Sequence, residues 1–259
     1  MTAAPFLIAE GLTKQYGNSR VVSEVSLSIA RGEILGLVGE SGSGKSTVAR
    51  MLLRLVEPTS GSVRFDGLDV LRASNTEMKS LRRRMGVVFQ DPFAALDPRM
   101  RVRDILAEPF AIHGDGSMRG EAMQTKLTAM LHEVGLDASA LSRYPHEFSG
   151  GQRQRINIAR ALALQPEFLV LDEPVSALDV SVGAQVINLL RDLQSTRGLT
   201  CLFISHSMPL VRYLCDRVAV MQRGRLVEVG DAVSICEHPR EAYTQTLIAA
   251  TPEFALPAK

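Results

Sequence analysis

Charge of one sign is nearly absent from the balance of this sequence: 29 lysines and arginines face 28 aspartates and glutamates, for a net charge of +1. No overall field is available to hold nucleic acid or an anionic membrane surface, and the cluster Arg82-Arg83-Arg84 reads as a solvated helix face. Cysteine is scarce. The three present, Cys201, Cys215 and Cys236, are scattered, which excludes a disulfide framework and is one ligand short of an all-cysteine iron–sulfur cluster. No apolar run approaches the roughly 20 residues that span a bilayer. The first ten residues lack the basic start and long apolar stretch of a secretory signal. A reduced, cytoplasmic setting is the expectation.

What is there is ordinary bulk and one extraordinary stretch. The 259 residues, 46% hydrophobic and 22% charged, suffice for one large or two small domains. The stretch is Gly39-Glu40-Ser41-Gly42-Ser43-Gly44-Lys45-Ser46-Thr47, which fits the phosphate-binding pattern G-x-x-x-x-G-K-[S/T] in full. Before it, Ile34-Leu35-Gly36-Leu37-Val38 is short and apolar enough for a buried strand. After it, Val48, Met51, Leu52 and Leu55 fall on one helical face. The glycines free the backbone N–H groups to approach phosphate, and a helix start adds donors and the positive end of a dipole. Lys45 is placed for the β- and γ-phosphates, and the Ser46 hydroxyl for Mg²⁺.

Along the chain, residues 6–9 read as an edge strand, Tyr16-Gly17 as a turn and residues 25–29 as a strand that Arg31-Gly32 turns back toward the strand before the phosphate loop, an antiparallel opening. Strands are expected at 62–65 and 85–89, with a helix at 76–84 between them. After Gln90, Asp91-Pro92 and Asp97-Pro98 punctuate a loop. The pattern is then helical over 101–140, interrupted at Gly114-Asp115-Gly116, with Leu127, Met130, Leu131 and Val134 on one face. Residues 91–163 therefore read as a helical insert in an α/β frame. The frame resumes with a buried strand at 168–171, a helix carrying Val182, Val186, Leu189, Leu190 and Leu193, a strand at 200–204 and a hairpin of 217–221 with 226–229. A short tail from 231 ends in a helix over 241–250.

Two further groups carry chemistry. Asp172-Glu173-Pro174 follows a strand, at the end where open α/β sheets bind ligands. Alone the pair would be read as a helix cap. Beside a phosphate loop, Asp172 becomes a candidate for Mg²⁺ through its waters, and Glu173 a candidate to orient or deprotonate the attacking water. Phe148-Ser149-Gly150-Gly151-Gln152 precedes a helical run from Arg153 to Leu164. Ser149 is a good N-cap, and the start of this helix is either a second anion site or simply a capped helix.

At this point the chain resembles an ABC-transporter ATPase subunit from end to end. Residues 148–152 are similar to that family's signature, with phenylalanine in place of the usual leucine; residues 39–47 match its Walker A loop and residues 168–172 its Walker B strand. The resemblance implies a P-loop NTPase core of ABC type, with an antiparallel β-subdomain and a helical subdomain. Residues 1–90 and 164–230 would form the core, 91–163 the helical subdomain and 231–259 the tail. It further implies that Tyr16 stacks on adenine, and that Gly39, Ser41, Gly42, Ser43, Gly44, Lys45, Ser46 and Thr47 hold ATP. Gln90 would touch Mg²⁺ and the attacking water, and begin the segment that communicates with the membrane partner. His206 would contact the γ-phosphate and help Glu173 hold the water. Ser149, Gly150, Gly151 and Gln152 would touch the ATP of a second subunit, across a seam lined by Ser176, Ala177, Leu178 and Asp179. Ser207 departs from the pattern, which has aspartate after the histidine.

Residues 90–100, 174–182 and 237–244 resemble the group that imports dipeptides, oligopeptides and nickel. The implied partners are a second ATPase subunit (a copy or a sister chain), two transmembrane permease subunits and an extracytoplasmic solute-binding protein, with ATP and Mg²⁺ as the small ligands, at the cytoplasmic face of the membrane. Peptide import is the primary reading and nickel or metal-chelate import the alternative. A soluble ABC ATPase acting on DNA or ribosomes would carry long coiled-coil insertions or two cassettes, and the sequence has neither. A regulator without turnover is opposed by Glu173 and His206.

Overall fold

The structure, a computed structural model, describes residues 5–114 and 118–250. Two long strands, β1 (Pro5–Tyr16) and β2 (Ser19–Ala30), pair antiparallel, and β4 (Ser60–Phe65) and β5 (Leu68–Asp69) complete a four-stranded sheet in the order β2-β1-β4-β5. The first strand is therefore interior, not the edge expected for residues 6–9. Leu7 and Leu12 are both fully buried, so the apolar signal continues past Ala9. What hides it is a register shift between Ala9 and Leu12, where Gly11 adopts a positive φ of 60° and the alternation breaks.

The second sheet contains β3 (Ile34–Val38), β6 (Met85–Val88), β7 (Phe168–Asp172), β8 (Thr200–Ser205), β9 (Arg217–Gln222) and β10 (Arg225–Asp231). Its order is β10-β9-β3-β8-β7-β6, parallel throughout except for the β9–β10 hairpin. Every residue of β3, β7 and β8 is buried, the mark of a parallel sheet covered on both faces. Leu35 and Leu37 align with Leu202 and Ile204 and face the core shared with the first sheet, together with Phe6, Phe65 and Val48. Val38, Leu171 and Phe203 face the opposite core, with the helices. The Arg31-Gly32 turn thus connects two sheets rather than two paired strands, since β3 pairs with β8 and β9.

The phosphate-loop helix α1 (Lys45–Leu52) buries Val48, Met51 and Leu52 but stops before Leu55, which is 49% exposed and leaves the expected helical face. α2 (Asn75–Arg84) opens with a capping box of Ser74 and Glu77. Between β6 and β7 the described residues form no strand. They contain α3 (Pro92–Ala95), α4 (Val102–His113), α5 (Gly120–Glu133) and α6 (Gly150–Ala161). The short α3 lies where a loop is expected: Asp91 caps it, accepting the Phe93 N–H at 2.7 Å. Gly114 ends α4 in the left-handed conformation; the rest of the expected interruption, Asp115-Gly116, lies outside the described residues, as does the tail beyond residue 250. α7 (Val180–Arg197) follows the seam segment, and α10 (Ala242–Ala249) is the expected last helix. Two further helices among the described residues have no counterpart in the sequence reading, α8 (Met208–Leu214) and α9 (Ala232–Glu237). Each is only about two turns, too short for periodicity to separate it from a loop.

A four-charge network ties the sheets together. Arg31 bonds Glu167 at 2.7 Å and Asp66 at 3.0 Å, and Arg84 bonds the same two carboxylates. The hydrogen bond from Arg84 is the chief reason that both carboxyls sit below their usual range, with Arg31 assisting. Their contribution to stability is present above the ordinary carboxylate values, about 4, and is lost as pH falls through the lowered folded values. Thermal melts between about pH 5 and pH 3 are expected to show this loss, and Arg84→Gln is expected to flatten that dependence. An unchanged slope would remove the network from the acid response.

Candidate active site

The carboxyl ends of β3, β7 and β8 lie side by side, and the candidate residues leave the sheet there. The loop after Val38 begins at Gly39, with φ 150°, where a Cβ would stand 2.1 Å from the Met221 carbonyl oxygen. It ends at Gly44, the left-handed N-cap of α1, where a Cβ would stand 2.8 Å from the Val21 carbonyl. No other residue fits either place. The loop is fastened to the β9–β10 turn by the Gly224 N–H, which donates to the Ser43 carbonyl at 3.0 Å. Lys45 is 5% exposed and curls back over the loop, its Nζ 2.8 Å from both the Gly39 and Glu40 carbonyls. Burial pulls its pKa down, against the attraction of Glu173, Asp172 and Glu40.

At the end of β7, buried Asp172 accepts a hydrogen bond from the Ser46 hydroxyl at 3.0 Å. Burial pushes its carboxyl up, and the Ser46 bond opposes this. The next residue turns out of the sheet: Glu173 has φ 47°, and its N–H donates to the Ile204 carbonyl of β8 at 3.0 Å. A positive φ at glutamate is the kind of strain, about 1–3 kcal/mol, that collects at functional sites. The turn aims the carboxylate at two groups from other elements. Gln90 Nε2 lies 3.1 Å from Glu173 Oε2, and His206 Nδ1 lies 3.4 Å from the same oxygen. The Glu173 side chain is 16% exposed and that of His206 61% exposed, so the pair grades from the interior to solvent.

These groups open on one cleft of about 790 Å³. Of the sequence-derived candidates, Ser41, Gly42, Gly44, Lys45, Ser46, Thr47, Gln90, Glu173, Ser176, Ala177 and His206 line it. Asp172 lies beneath, against Ser46. Tyr16 is not among the lining residues; it is 49% exposed at the end of β1, with Lys14 Nζ 4.9 Å above its ring. Val21 and Asp91 also line the cleft and were missed. Val21 carries no chemical signal, because it is one apolar residue of a strand. Ser207 gives its N–H to Ser205 Oγ at 3.0 Å, and its own buried hydroxyl finds no partner among the described residues.

The signature lies apart: none of Ser149, Gly150, Gly151 or Gln152 lines that cleft. Ser149 caps α6 with a reciprocal box, accepting the Gln152 N–H at 3.3 Å while Gln152 Oε1 accepts the Ser149 N–H at 3.1 Å. Gly151 is required by packing, since a Cβ there would stand 2.2 Å from Val182 of α7. Gly150 faces Leu178 of the seam segment, and Asp179 of that segment caps α7 by accepting the Val182 N–H at 2.9 Å. One turn into α6, fully buried Gln154 donates to the Pro174 carbonyl at 2.7 Å. The signature helix and the turn at Glu173 are thus joined by one strut, which the sequence signalled only as a polar residue inside a helical run.

Comparison with known proteins places this geometry. The family model of the ABC transporter matches residues 22–176. The chain is 52% identical to a putative peptide import ATP-binding protein of Brucella ovis, over 97% of this chain and 80% of that protein. It is 50% identical to the oligopeptide transport ATP-binding protein OppF of Bacillus subtilis, over 91% and 77% respectively. Among solved structures, a dimeric ATP-binding cassette in a post-hydrolysis state bound to ADP and Pi is similar, with a TM-score of 0.79 at 29% identity, covering 87% of this chain and 98% of that one. The chain belongs to the ABC transporter family, as an ATP-binding cassette whose hydrolysis of ATP is coupled to transport. No helix among the described residues is long and apolar enough to cross a membrane.

Proposed function

We propose that this chain is the ATP-hydrolysing subunit of an importer for di- or oligopeptides, acting at the cytoplasmic face of the membrane. The observation that carries the reading is the meeting of Lys45, the Ser46–Asp172 pair and the Glu173–Gln90–His206 group at one cleft. Lys45 has three ammonium donors, so it keeps the Gly39 carbonyl and turns the donor now on the Glu40 carbonyl to the β- and γ-phosphates, while the loop from Gly39 to Thr47 offers them backbone N–H groups. The Ser46 hydroxyl and Asp172 carboxylate, 3.0 Å apart, are hard oxygen donors of the kind Mg²⁺ takes. The ion, when bound, neutralises phosphate charge. Glu173 takes the proton of the attacking water. His206 and Gln90, both on Glu173 Oε2, orient that water, and His206 also reaches the γ-phosphate. Tyr16 stacks on adenine.

The exposed helix start at Ser149 supplies N–H donors and the positive dipole end to the ATP held by a second ATPase subunit, a copy or a sister chain. The seam is made by Ser176, Ala177, Leu178 and Asp179. Residues 1–90 and 164–230 form the nucleotide-binding core, 91–163 the helical subdomain and 231–259 the tail. The segment after Gln90 and the helical subdomain pass motion to two transmembrane permease subunits, which receive solute from an extracytoplasmic binding protein. Peptide as the solute is supported by the names of the two relatives in Brucella ovis and Bacillus subtilis.

Ser149→Arg tests the shared site. A cation at that helix start fills the place of the partner's γ-phosphate, so ATP binding to the monomer is expected to be retained and turnover lost. Turnover surviving in a preparation that contains only the variant, with no wild-type sister subunit, would reject the shared site.

A further inference from the structure

The segment after β10 has no part in this mechanism. It leaves the core sheet, forms α9 and enters α10 beyond His238-Pro239. The entry is fastened: the Glu228 carboxylate of β10 accepts the Arg240 N–H at 2.9 Å and the Glu241 N–H at 3.3 Å, and Gln245 Nε2 donates to the Pro239 carbonyl at 3.1 Å. Tyr243 leaves the first turn of that anchored helix and packs its ring against the helix-side core. Its Oη accepts the N–H of Glu40, in the phosphate loop, at 3.1 Å.

That N–H belongs to the Gly39–Glu40 peptide unit, whose other polar end, the Gly39 carbonyl, accepts Lys45 Nζ at 2.8 Å. One peptide plane is therefore held from both sides, by a tail tyrosine on its N–H and by the lysine on its oxygen. Gly39 has the backbone freedom to let this plane rotate, and rotation would carry the oxygen away from Lys45. Hydrogen bonds in series also polarise one another, so a bond accepted from the N–H strengthens the carbonyl as an acceptor.

We propose that Tyr243 is a positioning residue of the triphosphate site: its hydroxyl fixes the Gly39–Glu40 peptide and, through it, the place of Lys45. This rests on the reading of residues 39–47 as the phosphate loop. It makes the tail a structural input to ATP binding, so that any partner that displaces α10 alters the affinity for a nucleoside triphosphate.

Tyr243→Phe in the full chain removes the hydroxyl and keeps the ring. Faster hydrogen exchange at the Glu40 amide is expected, with exchange at Val170 in β7 unchanged. Affinity for ATP with Mg²⁺ is expected to fall about three- to tenfold, the range for loss of one neutral hydrogen bond. The effect is expected in KM, with kcat at saturating ATP close to that of the wild type. A purely structural role of Tyr243 predicts wild-type behaviour for the phenylalanine variant and would overturn the proposal, as would faster Glu40 exchange with unaltered affinity. Acceleration extending to Val170 would mark general destabilisation and overturn it too. A wild-type chain that failed to bind ATP would overturn the phosphate-loop reading itself, while the Glu40 comparison would still decide whether the tether exists.

Discussion

Glu173→Gln is expected to slow ATP hydrolysis by about 10²–10⁴-fold, the usual worth of a positioned general base, while ATP and Mg²⁺ still bind. The amide matches the carboxylate in size and can turn its oxygen toward Gln90 Nε2 and His206 Nδ1, which now share Glu173 Oε2 at 3.1 and 3.4 Å. The Ser46–Asp172 pair does not involve the altered group and is expected to survive. What is lost is the negative charge that draws a proton from water. Binding then outlasts chemistry, and ATP holds two subunits together through the loop of one and the Ser149 helix start of the other. Size-exclusion chromatography is expected to show a shift from monomer to dimer when ATP is added and less with ADP, on mixing with the sister chain if pairing is heterotypic. Hydrolysis at the wild-type rate would remove Glu173 from the role of base. Slow hydrolysis with no ATP-dependent dimer, even with the sister present, would keep the base and reject the sandwich.

Lys45→Ala is expected to abolish tight ATP binding, weakening it by at least about thirtyfold, as truncation of one side of a buried charged contact does. Lys45 is the cation curled over the phosphate loop, and its donor on the Glu40 carbonyl can be turned to a phosphate oxygen without rebuilding the fold. Its removal also leaves the acids Asp172 and Glu173, which favour the charged lysine, without that counter-charge. Titration with labelled ATP measures the loss, and unchanged affinity would sink the assigned role.

The chemistry was legible because it is local. Lys45 and Ser46 follow their glycines in the chain, so the motif proposed their roles, and Asp172-Glu173 follows an apolar strand and gained its reading from that motif. The buried strands β3, β7 and β8 were legible for a similar reason: a strand covered on both faces must be apolar at every position. Strand β1 was legible only over residues 6–9, because its bulge at Gly11 breaks the period that the eye follows. The helices α8 and α9 were not, because two turns hold too few apolar positions to define a face.

By itself, then, the sequence determined the phosphate-loop motif, the Asp172-Glu173 pair and the buried strands that precede them, since covalent neighbours need no fold to be adjacent. Only the tertiary structure decided which distant groups share an atom. Gln90 and His206 meet on one oxygen of Glu173 because β6, β7 and β8 are neighbours in the sheet. Gln154 reaches the Pro174 carbonyl because α6 packs beside the turn after β7. Tyr243 reaches the N–H of Glu40, 203 positions earlier, because Glu228 fastens the start of α10 to β10. Hydrogen bonds have a range of about 3 Å, and only packing brings groups that far apart in the chain within it.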